Sequence, residues 1–529
     1  MITNGRMATA LAWAPMSGVE ILLIVGAGIA VYAIAGKRGL QPGMVVVVLA
    51  AVVSFIPGVP RLELESELIL ALVVPPLLYS ATRATPVSGF AANLGPIVSL
   101  GVVLVVITTG VLGLVSSWLM PSIGLAGAFV LGAVLAPPDT ITTVSHGREL
   151  GLPRRATQIL TGESLVNDAT ALTVFSLAIA AVNGQGTSVG GGLATFLLTV
   201  VVGLVVGLVF AVGTLSLRKR LGNPTLEVAL VLLVPFTAFL VSEELHGSGI
   251  LAVVAAAFMV SANLTFDPKH QYPGAHRTRL AEEQVWKVID FLLENFVFAY
   301  IGLQLKFVLE DLADAEELTV TLISAGVLLV VAIVVRMLGV FGLFGRRALA
   351  ERWAEWIMKN DPRARLRRQQ RNELFEQRRQ ALPLGATSFR ENVLVGWTGM
   401  RGILTLAAAA AVPETTTSGA PFPGRDAIQA IALIVTLGTL LVQGTTIRKV
   451  AVALKFDVEA EKLETVRNEE RGRELVRDAV GPDGPRTPED YQKQRDAVGF
   501  AMATEHLDES VMREIVEDID LRQAAAERA

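Results

Sequence analysis

Gly162-Glu163-Ser164-Leu165-Val166-Asn167-Asp168 interrupts an otherwise apolar segment over residues 158–183. The segment exceeds the ~20 residues of helix that a bilayer requires. A carboxylate at membrane depth costs roughly 2.5–3.5 kcal/mol on insertion scales. Two acids and an amide on one membrane helix therefore point to an ion or proton pathway. Ser164 and Asp168 are four apart, as are Glu163 and Asn167. Each pair shares a helix face, and the two faces adjoin. Carboxylate, hydroxyl and amide oxygens suit a hard cation and suit a soft metal poorly. The competing reading is a buried polar network that only fixes helix packing.

The rest of the chain matches this segment in character. Of 529 residues, 52% are hydrophobic and 18% charged, and mean hydropathy is +0.54. Apolar runs of bilayer length recur from Val19 to Ile447, continuous and not alternating, which excludes an outer-membrane barrel. The chain is read as an all-α polytopic membrane protein with about thirteen spans. Met1–Pro15 lacks a clear cleavage site, so Val19–Ala35 is expected to be the first span and not a signal peptide. The sequence holds no cysteine, which removes disulfides, thiolate metal sites and cysteine nucleophiles. A net charge of -4 suggests no nucleic-acid partner.

Loop charges orient the spans. With the N-terminus outside, one set of loops carries Lys37, Arg38, Arg83, Arg148, Arg154, Arg155, Arg218, Lys219, Arg220, Lys269, Arg277 and Arg279. The opposite set carries little beyond Arg61, Lys306 and Arg425. This is the positive-inside pattern, and an odd span count then puts the C-terminus in the cytoplasm. Residues 1–453 form the expected membrane part. Within it, the arginine-rich stretch 345–390 reads as a cytoplasmic amphipathic linker between spans 11 and 12. Residues 454–529 read as a cytoplasmic tail of short helices, broken near Gly481-Pro482-Asp483-Gly484-Pro485.

Two spans carry helix-breaking interruptions at corresponding places. The fifth, near 123–145, contains Ala136-Pro137-Pro138-Asp139-Thr140; the twelfth, near 391–413, contains Gly396-Trp397-Thr398-Gly399-Met400-Arg401-Gly402. Six spans, one linker span and six more make an inverted-topology repeat, whose paired broken helices point to a midplane transport site. Two successive prolines strip backbone donors and open the helix. Backbone of that kind persists at membrane depth only when buried in protein or lining a cavity. Asp139, with Thr140 and Thr142 behind it, is placed to cap a second half-helix. A plain proline kink with a capping aspartate is the simpler reading. Arg401 sits in apolar surroundings and needs a partner, either the acids or the carbonyl ends of broken helices; snorkelling to the interface is the alternative. Glu163 can pair with Arg401 and hold the site open. Asp168 is the candidate titrating group. A carboxylate there can hold a proton or a cation but not both, and that exclusion couples the two flows. Glu294 and Asn295 form another intramembrane polar pair, for which an interhelical contact and a transport role stay equally open.

Taken together, the Ala136–Asp139, Gly162–Asp168 and Gly396–Gly402 motifs resemble those of bacterial sodium/proton antiporters. These are the NhaP-like members of the monovalent cation:proton antiporter family. The Leu293–Leu305 stretch is similar to the corresponding family segment, and the likeness runs over roughly Val19 to Ile447. The resemblance implies secondary exchange of a monovalent cation for H⁺ across the plasma membrane, by a homodimer whose protomers each carry a dimerisation part and a moving core. It implies that Asp168 is the alternating carrier, and that Asn167 beside it goes with electroneutral one-for-one exchange. Asp139, Ser164 and the Pro138 carbonyl would complete the ion site, with Glu163, Arg401, Glu294 and Thr140 supporting it. Ala136 stands where many relatives have Ser or Thr, and Thr140 where a small residue is common. Preference among Na⁺, Li⁺ and K⁺ is therefore open. The expectation includes no cofactor.

Two other readings are weaker. A potassium efflux system on a related scaffold commonly carries a nucleotide-sensing domain, and the tail has no Gly-x-Gly-x-x-Gly. An intramembrane hydrolase would want a Gly-x-Ser-x-Gly or His-Glu-x-x-His motif, and neither is present.

Overall fold

The computed structural model describes residues 18–38, 42–57, 59, 71–140, 152–184, 189–266, 275–312, 315–360, 388–456, 458–481, 484–504 and 508–527. In chain order the helices are α1 (Gly18–Lys37), α2 (Pro42–Ser54), α3 (Val74–Ala84), α4 (Val87–Ala92), α5 (Leu94–Leu119), α6 (Gly124–Leu135) and α7 (Arg154–Val182). They continue as α8 (Val189–Leu221), α9 (Pro224–Glu244), α10 (Gly249–Phe266), α11 (Ala275–Asp311) and α12 (Ala315–Asn360). A short pair follows, α13 (Phe389–Trp397) and α14 (Ile403–Ala410), and then α15 (Arg425–Leu454). The tail supplies α16 (Glu459–Asp478), α17 (Pro488–Thr504) and α18 (Glu509–Ala526).

Local chemistry sets many of these boundaries. The Asn223 side chain accepts from the N–H groups of Thr225 and Leu226, and Pro224 takes the first position of α9, where its missing donor costs nothing. Ser388 and Glu391 form a reciprocal capping box that starts α13. Among the described residues, seven helices are long and apolar enough to span a membrane, and four shorter ones are apolar. The count of thirteen is not settled by these. Interrupted segments fail any length test because each half is short, and residues 61–70 before α3 lie outside the described residues. Outside them too are most of the expected 345–390 linker and Arg61, Thr142, His146, Arg148 and Lys269.

The membrane helices pack as two groups. One comprises α1, α2, α3, α8, α9, α10 and α11, the other α5, α6, α7, α12, α13, α14 and α15. The second has its own apolar core, including Leu112, Leu131, Leu135, Phe175, Leu328, Ile428 and Ile431. Along the seam, Leu77, Val297, Ile301, Ala407 and Leu433 meet from both sides. Within the second group, small residues let backbones touch. A Cβ on Gly132 would lie 2.6 Å from the Thr109 carbonyl oxygen and 2.8 Å from the Gly113 nitrogen. α5 and α15 each contain a π-helical turn, Ser99–Leu104 and Leu440–Gly444. Such turns reorient a helix face and concentrate at functional positions.

The tail helices surround a separate small core of Val476, Tyr491, Val498, Met502, Val511, Met512, Ile515 and Ile519. The chain leaves α16 at the expected glycine–proline stretch. α18 starts at the N-cap Asp508, whose side chain accepts from the Ser510 and Val511 N–H groups.

Replacing Gly132 by Val should force α5 and α6 apart. The expected cost is about 1–3 kcal/mol of overpacking, seen as a lower thermal midpoint of the purified protein in detergent. An unchanged midpoint would contradict so close a contact.

Candidate ion site

α6 stops at Leu135, and Ala136 to Thr140 run without helical structure. α13 stops at Trp397, and Thr398 to Gly402 do the same. The two interruptions meet. The Asp139 N–H donates to the Met400 carbonyl at 2.6 Å. Gly402 abuts the Asp139 carboxylate so closely that a Cβ would overlap Oδ2. Only glycine fits this contact, which gives the Gly-x-x-Gly stretch a second purpose beyond breaking the helix.

Arg401 closes the crossing. It is 1% exposed; its Nε donates to the Leu135 carbonyl at 2.8 Å and its Nη1 to the Gly399 carbonyl at 2.5 Å. Its backbone N–H donates to Thr439 Oγ1 at 2.9 Å. The guanidinium therefore serves the C-terminal end of α6, where the helix dipole favours positive charge. From the π turn of α15, Gln443 Nε2 donates to the Trp397 carbonyl at 2.8 Å and satisfies the end of α13.

α7 lies against this crossing. Asn167 is fully buried, and its Nδ2 donates to the Pro138 carbonyl at 2.7 Å, which the proline interruption left unpaired. Thr140 Oγ1 donates to the Leu160 carbonyl at 2.8 Å, a second link from the break to α7. Asp168 follows Asn167 and faces a cavity of about 30 Å³ that it shares with Pro137, Pro138, Asp139, Gly402 and Thr405. Val74, Leu77 and Leu78 of α3 complete the wall from the other helix group. A space of this size exceeds the ~10–15 Å³ that one water needs, so a small cation or water fits. Asp139 lies within electrostatic range of Asp168.

Not every expected residue reaches this cavity. Ser164 is buried one turn before Asp168 but does not line it. Glu294 is half-buried on α11, within electrostatic range of Asp139 and Asp290. Asn295 donates to the Phe291 carbonyl of its own helix at 2.9 Å and packs under Gly28 of α1. The second half-helix that Asp139 and Thr142 were expected to cap falls at 141–150, outside the described residues.

One pairing is corrected. Glu163 does not pair with Arg401. Its carboxylate, 0% exposed, receives both terminal nitrogens of Arg336 from α12, at 2.6 and 3.0 Å. The reason is geometric: Arg401 spends its donors on carbonyls, and Arg336 presents the planar fork that a carboxylate accepts in bidentate fashion. Both arginines and Glu163 border one gap of about 10 Å³ behind Pro138. Arg336 had a signal in the sequence. It is a lone cation inside the apolar run 318–344, and the reasoning that singled out Arg401 applies to it equally. Thr439 and Gln443 had none, because uncharged polar residues near a span end are common.

These features define a multi-span helical transporter with two broken helices crossing beside a buried carboxylate. Comparison places it more closely. A family model described as sodium/hydrogen exchanger, transmembrane, matches residues 21–453. The chain belongs to that family, whose members are transporters and not enzymes. An uncharacterised Na⁺/H⁺ exchanger of Mycobacterium tuberculosis is 30% identical over 438 residues, covering 81% of this chain and 73% of the relative. The sodium, potassium, lithium and rubidium/H⁺ antiporter of Bacillus pumilus is 29% identical over 400 residues, 74% of this chain and 55% of the relative. The solved sodium proton antiporter MjNhaP1 of Methanocaldococcus jannaschii shares the fold, with TM-score 0.59 at 17% identity over 82% of this chain and 97% of that one.

The Glu163–Arg336 pair makes a sharp energetic forecast. Arg336→Ala strands a buried carboxylate and should cost about 3–5 kcal/mol, whereas replacing both partners by leucine should cost far less. Thermal midpoints of the two variants in detergent decide it. Equal losses would show that the pair does not act as a unit.

Proposed function

We infer that this chain is a secondary antiporter that exchanges a monovalent cation, with Na⁺ first and Li⁺ or K⁺ as further candidates, for H⁺ at Asp168. The observation that carries this reading is the Asp168 carboxylate at the cavity where the two broken helices cross. Glu163 is matched by Arg336, and Arg401 is held by carbonyls. Asp168 has no ion pair among the described residues. A carboxylate in that setting takes its positive charge from solution, as a proton or as a cation. Asp139 and the Pro137–Pro138 backbone offer further oxygens, with Asn167 and Thr140 shaping the break and Ser164, Glu163, Arg401 and Glu294 in supporting places. Exchange is one-for-one and electroneutral, because a single carboxylate returns loaded with one positive charge in either direction.

The packing supports alternating access. Asp168 and the broken helices belong to the second helix group, and part of the cavity wall belongs to the first. Displacement of one group against the other would expose the carboxylate to either side. The protein works as a homodimer in the plasma membrane, with residues 1–453 as the transport part, the N-terminus outside and the tail 454–529 in the cytoplasm. The tail packs on the same face as Arg83, Arg154, Arg277 and Arg279, which supports that orientation under the positive-inside rule.

Everted vesicles with a pH-sensitive dye test the assignment. Na⁺ should dissipate the proton gradient, and Asp168→Asn should abolish the response at unchanged expression. Retained exchange in that variant would remove Asp168 from its role. In proteoliposomes, clamping the membrane potential with valinomycin and K⁺ should leave the Na⁺-driven rate unaltered; a potential-dependent rate would exclude one-for-one exchange.

A further inference from the structure

A cavity of about 390 Å³ lies where α3, α10 and α11 meet α17 and α18. Its mouth is open to solution, with Lys287 and Glu517 exposed. Its floor holds Ser80 of α3 and Asp290 of α11, joined at 2.5 Å. The same two helices continue from this floor to the ion site. One turn earlier on α3, Leu77 and Leu78 wall the small cavity that Asp168 faces. One turn later on α11, Glu294 lies within electrostatic range of both Asp290 and Asp139.

The polarity of α11 changes along this course. Glu283, Asp290, Glu294, Val297 and Ile301 recur at helical spacing, so they share one face. The first two border the large cavity, and the last two meet Ala407 and Leu433 in the apolar seam. Glu294 stands between. Glu283 is neutralised by Arg83 at 3.0 Å and by Lys287 at 3.3 Å. Asp290 and Glu294 have no ion pair among the described residues. One Asp290 oxygen is buried with no hydrogen-bond partner, and Arg83, although within electrostatic range of it, is paired to Glu283. Two unpaired acids one turn apart, on the stripe that leads to a cation site, are too costly at membrane depth to serve packing alone.

We propose that this cavity is the vestibule through which cations reach Asp168 from the cytoplasm, with Asp290 as its entry residue and Glu294 as the next step inward. This rests on the reading of Asp168 as the carrier. A cation that sheds its water meets a steep cost unless negative charge accompanies it. Asp290 and Glu294 supply that charge about 6 Å apart along the helix axis. Low-dielectric walls focus their field on the opening. The unpartnered Asp290 oxygen and the Ser80 hydroxyl oxygen can replace part of the water shell. Beyond Glu294 the stripe is apolar, so the assistance is one-sided. It acts while Asp168 faces the cytoplasm and not while it faces the other side.

Membrane vesicles of both orientations, carrying the full chain, provide the test. Everted vesicles present the cytoplasmic face, and right-side-out vesicles the opposite one. Asp290→Asn should raise the Na⁺ KM at the cytoplasmic face about tenfold, the lower end of electrostatic focusing. The maximal rate and the KM at the opposite face should stay unchanged, and Asp290→Glu should keep the wild-type KM. An unchanged cytoplasmic KM, or an equal rise at both faces, overturns the vestibule and leaves Asp290 a structural residue. A second measurement does not depend on Asp290. The chain has no cysteine, so Ala84→Cys places a single thiol on the cavity wall. Labelling it from the cytoplasmic face with a membrane-impermeant trimethylammonium methanethiosulfonate should block exchange, and dithiothreitol should restore it. Full-speed exchange by the fully labelled protein overturns the proposal. Failure of the Asp168 reading would show separately, as exchange retained in Asp168→Asn.

Discussion

The crossing of two broken helices is the constraint on which the rest of the structure depends. A helix interrupted inside a membrane leaves carbonyls and amides that water cannot reach, and each unsatisfied group costs several kcal/mol. Here each break supplies partners for the other. The Asp139 amide takes the Met400 carbonyl, Arg401 takes the Leu135 carbonyl, and Gln443 takes the Trp397 carbonyl. Neither interruption would be tolerable alone. Together they form polar backbone in the apolar centre of the molecule, and α7 is fastened to it by the Asn167 amide on the Pro138 carbonyl.

Placement of charge follows from that crossing. Three groups of like cost had to be buried near one another: Glu163, Arg336 and Arg401. Carbonyls at the end of α6 claim Arg401, so Glu163 is matched by Arg336 from a different helix. The pair closes an account that involves neither Asp139 nor Asp168. The carboxylate next in sequence to Asn167 is therefore turned toward a cavity with no guanidinium paired to it among the described residues. The proposed exchange requires such a group, since a permanent ion pair would leave no place for a mobile cation.

The cavity lies at the seam between helix groups and not inside either core. Apolar contacts along the seam, such as Leu77 and Val297 against Ala407 and Leu433, carry no hydrogen bonds that sliding would break. The second group, in contrast, is laced by the backbone approach at Gly132 and by the polar links around Arg401. A stiff unit against a smooth seam is the mechanical arrangement that rocking transport needs. The tail crosses the same seam with directional polar bonds, among them those to Arg83, Arg154 and Arg279.

Much of the site was legible because it is expensive. Acids at 163 and 168, the Pro137–Pro138 pair and Arg401 stand out from apolar surroundings, and their cost implies a purpose at the level of residue type alone. Helical periodicity likewise put Asn167 on the face of Glu163, adjoining the face of Asp168. Which charge answers which was not legible: Glu163 and Arg336 are 173 positions apart, and only folding brings the fork to the carboxylate. Thr439 and Gln443 were invisible for the opposite reason, since polar uncharged residues cost little and announce nothing. The tail showed a similar limit, with helices readable from composition but not the surface they would find. By itself the sequence determined a multi-span helical transporter with two interrupted spans and a buried acid, because hydrocarbon penalises each exception to apolarity wherever it falls. The tertiary structure alone decided the partners, because an ion pair or a backbone contact depends on distance in space, which local sequence does not encode.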